Sequence, residues 1–249
     1  MSVKASGKLL GVGAVALLAA AAAVAFVVHR TDLAYRLVAA PDDEVASSPA
    51  LVAYAHQVAV PVFARNCARC HGADMKGDTA VGAPNLVDKV WLYDQGTVFD
   101  IERMILYGAR SGHAKARNIT DMPAIGRIGV LKDDEIRDVV EYVTQLSRQP
   151  ADPVVAERGK AIFKDKGNCF DCHAPDGTGN PDYGSTDFTS GVWNYGGDRA
   201  TLFKSVRDGR HGLMPAFIDK LSPAQIRALA VEIYERSHPP RQVAENTPR

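Results

Sequence analysis

The chain is poor in cysteine, with four in 249 residues. That is too few for a disulfide scaffold. It has no surplus charge of either sign, because 29 Lys and Arg balance 29 Asp and Glu. No block of basic residues breaks that balance, which argues against a nucleic-acid partner. The composition is ordinary for a globular protein, with 46% of residues hydrophobic and 23% charged, so disorder is not the expected state. No convincing alternation of apolar and polar residues appears, which leaves an all-α fold.

What cysteine there is falls into one pattern, used twice. Cys67-Ala68-Arg69-Cys70-His71 and Cys169-Phe170-Asp171-Cys172-His173 both read C-x-x-C-H, and they consume all four cysteines. This is the attachment signature of c-type haem: two thiols bond to the haem vinyl groups and the adjacent histidine ligates iron. A redox disulfide does not need the following histidine, and a single Cys₄ zinc site leaves both histidines unexplained. The expected cofactors are therefore two covalently bound haem c groups. Because such haem is attached outside the cytoplasm, the pattern implies an exported domain.

Leu9–Val28 is a continuous apolar run of twenty residues without a charge. A helix of that length spans about 30 Å, the thickness of a bilayer core. Lys4 and Lys8 precede it and predict a cytoplasmic N-terminus with the remainder outside. Ala23-Val24-Ala25 offers a competing signal-peptidase site, but the apolar run continues through Phe26-Val27-Val28, and an uncleaved anchor is the expectation. The resulting division is an anchor over residues 1–30, a linker over 31–49, cytochrome domains over 50–149 and 150–240, and a tail over 241–249. If flexible, the linker reaches roughly 25 Å.

The two domains are copies of one unit. An offset of 102 maps Cys67, Cys70 and His71 onto Cys169, Cys172 and His173, and Trp91 and Tyr93 onto Trp193 and Tyr195. Met122-Pro123 matches Met214-Pro215 once nine extra residues, about His113 to Asp121, are allowed in the first copy. Ser48-Pro49, Asp152-Pro153 and Ser222-Pro223 read as helix starts, each a capping residue followed by proline. Each copy closes on an amphipathic helix, with Ile136, Val139, Val140, Val143 and Leu146 on one apolar face and Ile226, Leu229, Ala230 and Ile233 on the other. The layout is that of two tandem class I cytochrome c domains after a single transmembrane helix.

Met122 and Met214 are the expected distal ligands, since each precedes a proline in a loop at matching positions. Met104 sits on a helical stretch and is expected to pack; His113 and His211 are the rival ligands. Pro84 is placed to hold His71 by its carbonyl, while Thr186 stands at the equivalent position and predicts a different second proximal environment. Trp91, Tyr93, Trp193, Tyr195, Arg207 and Arg210 are candidate partners of haem propionates or ordinary packing and surface residues.

From about Pro49 to Ser237 the chain resembles subunit III of cbb3-type cytochrome c oxidases, a membrane-anchored dihaem subunit. The resemblance rests on Phe63-Ala-Arg-Asn-Cys67 through Gly72, Gly82-Ala-Pro-Asn-Leu86, Trp91-Leu-Tyr93, Asp121-Met122-Pro123-Ala124, Trp193-Asn-Tyr195-Gly-Gly-Asp198 and Gly209-Arg-His-Gly-Leu-Met214-Pro215-Ala216. It implies electron transfer from a donor, a cytochrome c or bc₁-type complex, to the oxygen-reducing core. It also implies axial pairs His71/Met122 and His173/Met214, and a bacterial inner-membrane location with the haem domains in the periplasm. The Ala-rich N-terminal run departs from the aromatic-rich segment that members usually carry. The alternative is a free-standing or soluble dihaem shuttle serving a dehydrogenase or other redox complex. A dihaem peroxidase needs an open iron, against which the two Met-Pro pairs argue; no independent catalytic site is seen.

Overall fold

The computed structural model describes residues 4–117 and 120–239, with side chains from residue 14 onward. The expected tail 241–249, residues 118 and 119 of the insertion, and the side chains of Lys4 and Lys8 lie outside the described residues. Ten α-helices follow in order: α1 Lys4–Ala39, α2 Asp42–Ser47, α3 Pro49–Asn66, α4 Ala68–His71, α5 Val98–Tyr107, α6 Asp133–Leu146, α7 Pro153–Lys164, α8 Phe170–His173, α9 Arg199–Asp208 and α10 Pro223–Ser237. Among the described residues there is no strand, only isolated bridges between extended residues.

The caps follow their residues. Ser48 accepts from the Leu51 N–H and Asp152 from those of Val154 and Val155, each with proline opening the helix. Ser222 and Gln225 close a reciprocal capping box on α10, as Thr97 and Asp100 do on α5.

Two apolar cores form, and they do not divide the chain at its middle. The first, unit I, joins Leu51, Tyr54, Ala59 and Phe63 of α3 with Ile101 and Ile105 of α5 and Ile226, Leu229 and Ile233 of α10. The second, unit II, joins Ile136, Val139 and Val143 of α6 with Phe163 of α7 and Leu202 and Val206 of α9. Each haem string thus keeps its own N-terminal and central helices but takes its closing helix from the other half of the sequence. The helix packing crosses the division expected at residue 150: the closing helices are exchanged, with α10 on α3 and α5 and α6 on α7 and α9. The physical reason is the short connection between α6 and α7. Six residues, Ser147–Asp152, are enough for an antiparallel helix hairpin. Gly159 lets the two helices touch, because a Cβ there would fall inside the van der Waals envelope of the Asp138 carbonyl oxygen. Arg158–Asp138, Arg199–Glu141 and Lys166–Glu135 pairs border the same packing.

The units clasp each other with pseudo-twofold symmetry. The ring of Tyr195 covers Gly82, and that of Tyr93 covers Gly184; both glycines have φ near +70°, at +71° and +66°. Arg110 bridges the units, donating to the Tyr93 hydroxyl at 2.9 Å and to the Gly212 carbonyl. Arg210 lies 4.2 Å over the Tyr195 ring.

The expected linker is helical instead. α1 runs 36 residues, about 54 Å, much longer than a bilayer needs. From Ala14 through Val28 it is exposed, whereas Leu33 and Leu37 are buried in unit I. Pro41 stops it, and α2 adds Val45 to the same core.

Candidate haem centres

Cys67 ends α3 with its N–H bonded to the Phe63 carbonyl, and the His71 N–H returns to the Cys67 carbonyl at 3.0 Å. In the second string the Cys169 N–H meets the Phe163 carbonyl and the His173 N–H returns to Cys169 at 2.9 Å. Each string is a single helical turn that keeps its thiols together. All four thiols are free. Burial pushes the Cys67 and Cys169 thiols up to about 11. A dithiol built for redox exchange has its thiol pulled down, so this environment does not suit one.

Burial likewise lowers the pKa of His71 and of His173, keeping both imidazoles neutral. His71 Nδ1 lies 3.1 Å from the Pro84 carbonyl and His173 Nδ1 3.3 Å from that of Thr186. A carbonyl only accepts, so Nδ1 carries the proton in both rings and Nε2 keeps its lone pair for a metal. The expected role of Pro84 is realised, and Thr186 performs the same one through its backbone. The side-chain difference between them leaves that bond intact, so the two proximal environments do not differ in the way Thr186 suggests. They differ in a residue the sequence reading passed over. Phe188 stacks on His173 at 4.4 Å between ring centroids and also on Trp193. An offset of 102 puts Leu86 at the matching place in unit I.

The methionine loops are each held by a pair of backbone bonds. Met214 exchanges N–H and carbonyl with Ala109, just after α5, at 2.9 and 3.0 Å. Met122 does the same with Arg210, just after α9, at 3.2 and 3.0 Å. Gly108 and Gly209 permit this approach, since a Cβ on either would collide with the Met214 or the Met122 backbone. Met214 packs on the core that holds Cys67 and Ala68, and Met122 on the one that holds Cys169 and Phe170. Each methionine therefore shares a core with the haem string of the other half of the sequence. The pairing His71/Met122 and His173/Met214 is not what the packing brings together.

The rivals are engaged elsewhere. His113 stacks on Tyr107 and accepts from the Lys115 N–H; the exposed His211 lies 2.6 Å from Asp121. The insertion folds back onto Gly108 and Arg110 through Arg117, which also pairs with Asp94. Met104 is half-buried on α5, and Met75 is core in unit I.

The donor set fits haem. Both units offer a free thiol pair, a neutral imidazole with Nε2 available and a thioether in one core. Trp91 Nε1 is, among the described residues, the buried side-chain donor left without a partner. A haem propionate would satisfy it. Phe188→Leu is expected to lower the midpoint potential of the unit II haem and leave that of unit I unchanged, because water reaching His173 favours the more charged ferric state. Redox titration of the variant checks this; a unit II midpoint equal to that of the unaltered protein would contradict it.

Comparison with known proteins agrees with both centres. Residues 60–147 match the cytochrome c family, and residues 154–231 match the family of cytochrome c oxidase, cbb3-type, subunit III. The cbb3-type cytochrome c oxidase subunit FixP of Bradyrhizobium diazoefficiens is 42% identical over 206 residues, 82% of this chain and 69% of that protein. Subunit CcoP of Cereibacter sphaeroides is 39% identical over 190 residues, 76% of this chain and 64% of that protein. For subunit CcoP of Rhodobacter capsulatus the figures are 38% over 207 residues, 80% and 68%. The matched region spans about two thirds of the length of these relatives.

Proposed function

The chain belongs to the family of the cbb3-type cytochrome c oxidase subunit III, and from that premise we propose that it passes electrons to the oxygen-reducing subunits of such an oxidase. It carries two covalently bound haem c groups. Bound haem supplies a one-electron ferric/ferrous couple, which His/Met ligation sets high. The residues of the chain hold that couple in place. Cys67 and Cys70 attach one haem and Cys169 and Cys172 the other. His71 and Met214 would ligate the iron of unit I, and His173 and Met122 that of unit II. Pro84 and Thr186 fix the imidazole tautomers.

The observation that carries this reading is the pairing, in each core, of a carbonyl-braced neutral histidine with a backbone-clamped methionine loop. A histidine and a methionine would together hold each iron, a donor set that suits electron transfer. The donor is a cytochrome c or a bc₁-type complex, and the haem units face the periplasm. α1, with the one helix segment among the described residues long and apolar enough to cross a membrane, Ala14–Ala39, is the anchor. The chain divides functionally into that anchor, unit I and unit II.

Gentle-detergent purification from native membranes tests the proposal. The chain is expected to remain in the membrane fraction with an intact N-terminus and to co-migrate with a haem–copper catalytic subunit. A mature chain beginning at Phe26 in the soluble fraction would sink the anchor, and solitary migration would sink the assignment to an oxidase.

A further inference from the structure

We propose that Arg227 is a positioning residue that locks the anchor helix to unit I, so that the haem units stand at one fixed height and tilt over the bilayer. The proposal rests on the reading of α1 as membrane-spanning. Arg227 lies on α10 and its side chain is 8% exposed. Its guanidinium gathers the end of α1, the start of α2 and the middle of α5. Nε donates to the Leu37 carbonyl at 3.3 Å and Nη2 to that of Ala40 at 3.0 Å. Nη2 also meets Asp42 at 2.7 Å, and Nη1 meets Glu102 at 3.1 Å.

These are the acceptors a helix C-terminus leaves open, and a cation there also suits the helix dipole. A planar guanidinium can serve several fixed acceptors together, which a lysine ammonium on its flexible stem does not reproduce. A second fastening sits lower on α1. Arg30 donates to Gln57 at 2.7 Å and lies 4.7 Å over the Tyr54 ring, both on α3. Between the two, Leu33 and Leu37 are buried in the unit I core. Two polar fastenings around an apolar contact turn a tether into a mount. A freely swinging haem domain meets partners over a wide radius; a mounted one meets a partner at one place, which suits a stationary neighbour in the same membrane.

The test uses the full chain in native membranes, dried as oriented multilayers. Electron paramagnetic resonance of the oxidised low-spin haems is recorded as the sample is turned in the field. The unaltered protein is expected to show strong angular dependence. Arg227→Gln is expected to flatten it, with haem content, the iron–methionine absorption band and membrane retention unchanged. Proteolytic cleavage between residues 38 and 48 is expected to rise by about tenfold or more, the change that loss of a charge-assisted bond brings. Angular dependence and cleavage equal to those of the unaltered chain would overturn the proposal. If Arg227→Gln yields no haem protein, Arg227→Lys and Asp42→Asn decide: smaller changes in the same direction support it, and unaltered behaviour in both overturns it. An unaltered chain found in the soluble fraction instead overturns the anchor reading, and this proposal with it.

Discussion

Met214→Ala alters the haem held by Cys67 and Cys70 and leaves the haem held by Cys169 and Cys172 as it was. Met214 is 143 residues from His71 and only 41 from His173 by the numbering, so linear proximity points the other way. Packing decides otherwise. Met214 is bonded to Ala109 on both sides of its backbone and packs on the core of α3, α5 and α10. The experiment needs each haem alone. In a Cys169→Ala/Cys172→Ala chain only the first haem attaches. There, Met214→Ala is expected to abolish the weak long-wavelength band of ferric iron–methionine bonding and to lower the midpoint, within the ~0.8 V range that axial ligands span. Met122→Ala in the same background is expected to leave both unchanged. The reverse pattern would restore the pairing within each half of the sequence.

Gly159→Ala is expected to destabilise unit II, against the ordinary sign of that change. In a free helix, alanine is better than glycine by about 0.5–1 kcal/mol. Here the added methyl meets the Asp138 carbonyl of α6, which is backbone and cannot turn aside. Overpacking of this kind costs about 1–3 kcal/mol, and for a unit of this size each kcal/mol lowers the unfolding midpoint by roughly 4–8 °C. Thermal unfolding followed at the unit II haem measures it. A variant as stable as the parent would mean that α6 and α7 are not closely packed, and the helix exchange would fail with it. Ala59, four residues before Phe63 as Gly159 is before Phe163, is fully buried and already carries a Cβ, so unit I is the internal control.

The helical turn of each haem string, the helix starts and the Pro84 contact follow from local rules. The C-x-x-C-H spacing makes one helical turn, proline after a capping residue starts a helix, and Pro84 two residues after Gly82 reaches His71. The exchange of closing helices was not legible, because α6 and α10 present similar apolar faces to similar partners, and either could complete either unit. Only the brevity of Ser147–Asp152 favoured the α6–α7 hairpin, a signal of connection length rather than of pattern. The end of α1 was misread for a different reason. Leu33 and Leu37 stand one helical turn apart before Pro41, which is a helix and its stop, but the charged residues around them masked the spacing. Phe188 was missed because a single aromatic in a loop carries no periodicity. Arg227 was missed because its acceptors are carbonyls and carboxylates 125 to 190 residues away.

The claim that this chain feeds an oxidase is tested most directly by the rate at which its haems are reoxidised. Native membranes are reduced anaerobically, mixed with oxygen, and the two c-type haems followed by rapid absorption, with and without the haem–copper catalytic subunit that co-migrates with the chain. The account predicts fast reoxidation of both haems only when that subunit is present. Equal reoxidation in its absence would show that the chain delivers its electrons elsewhere.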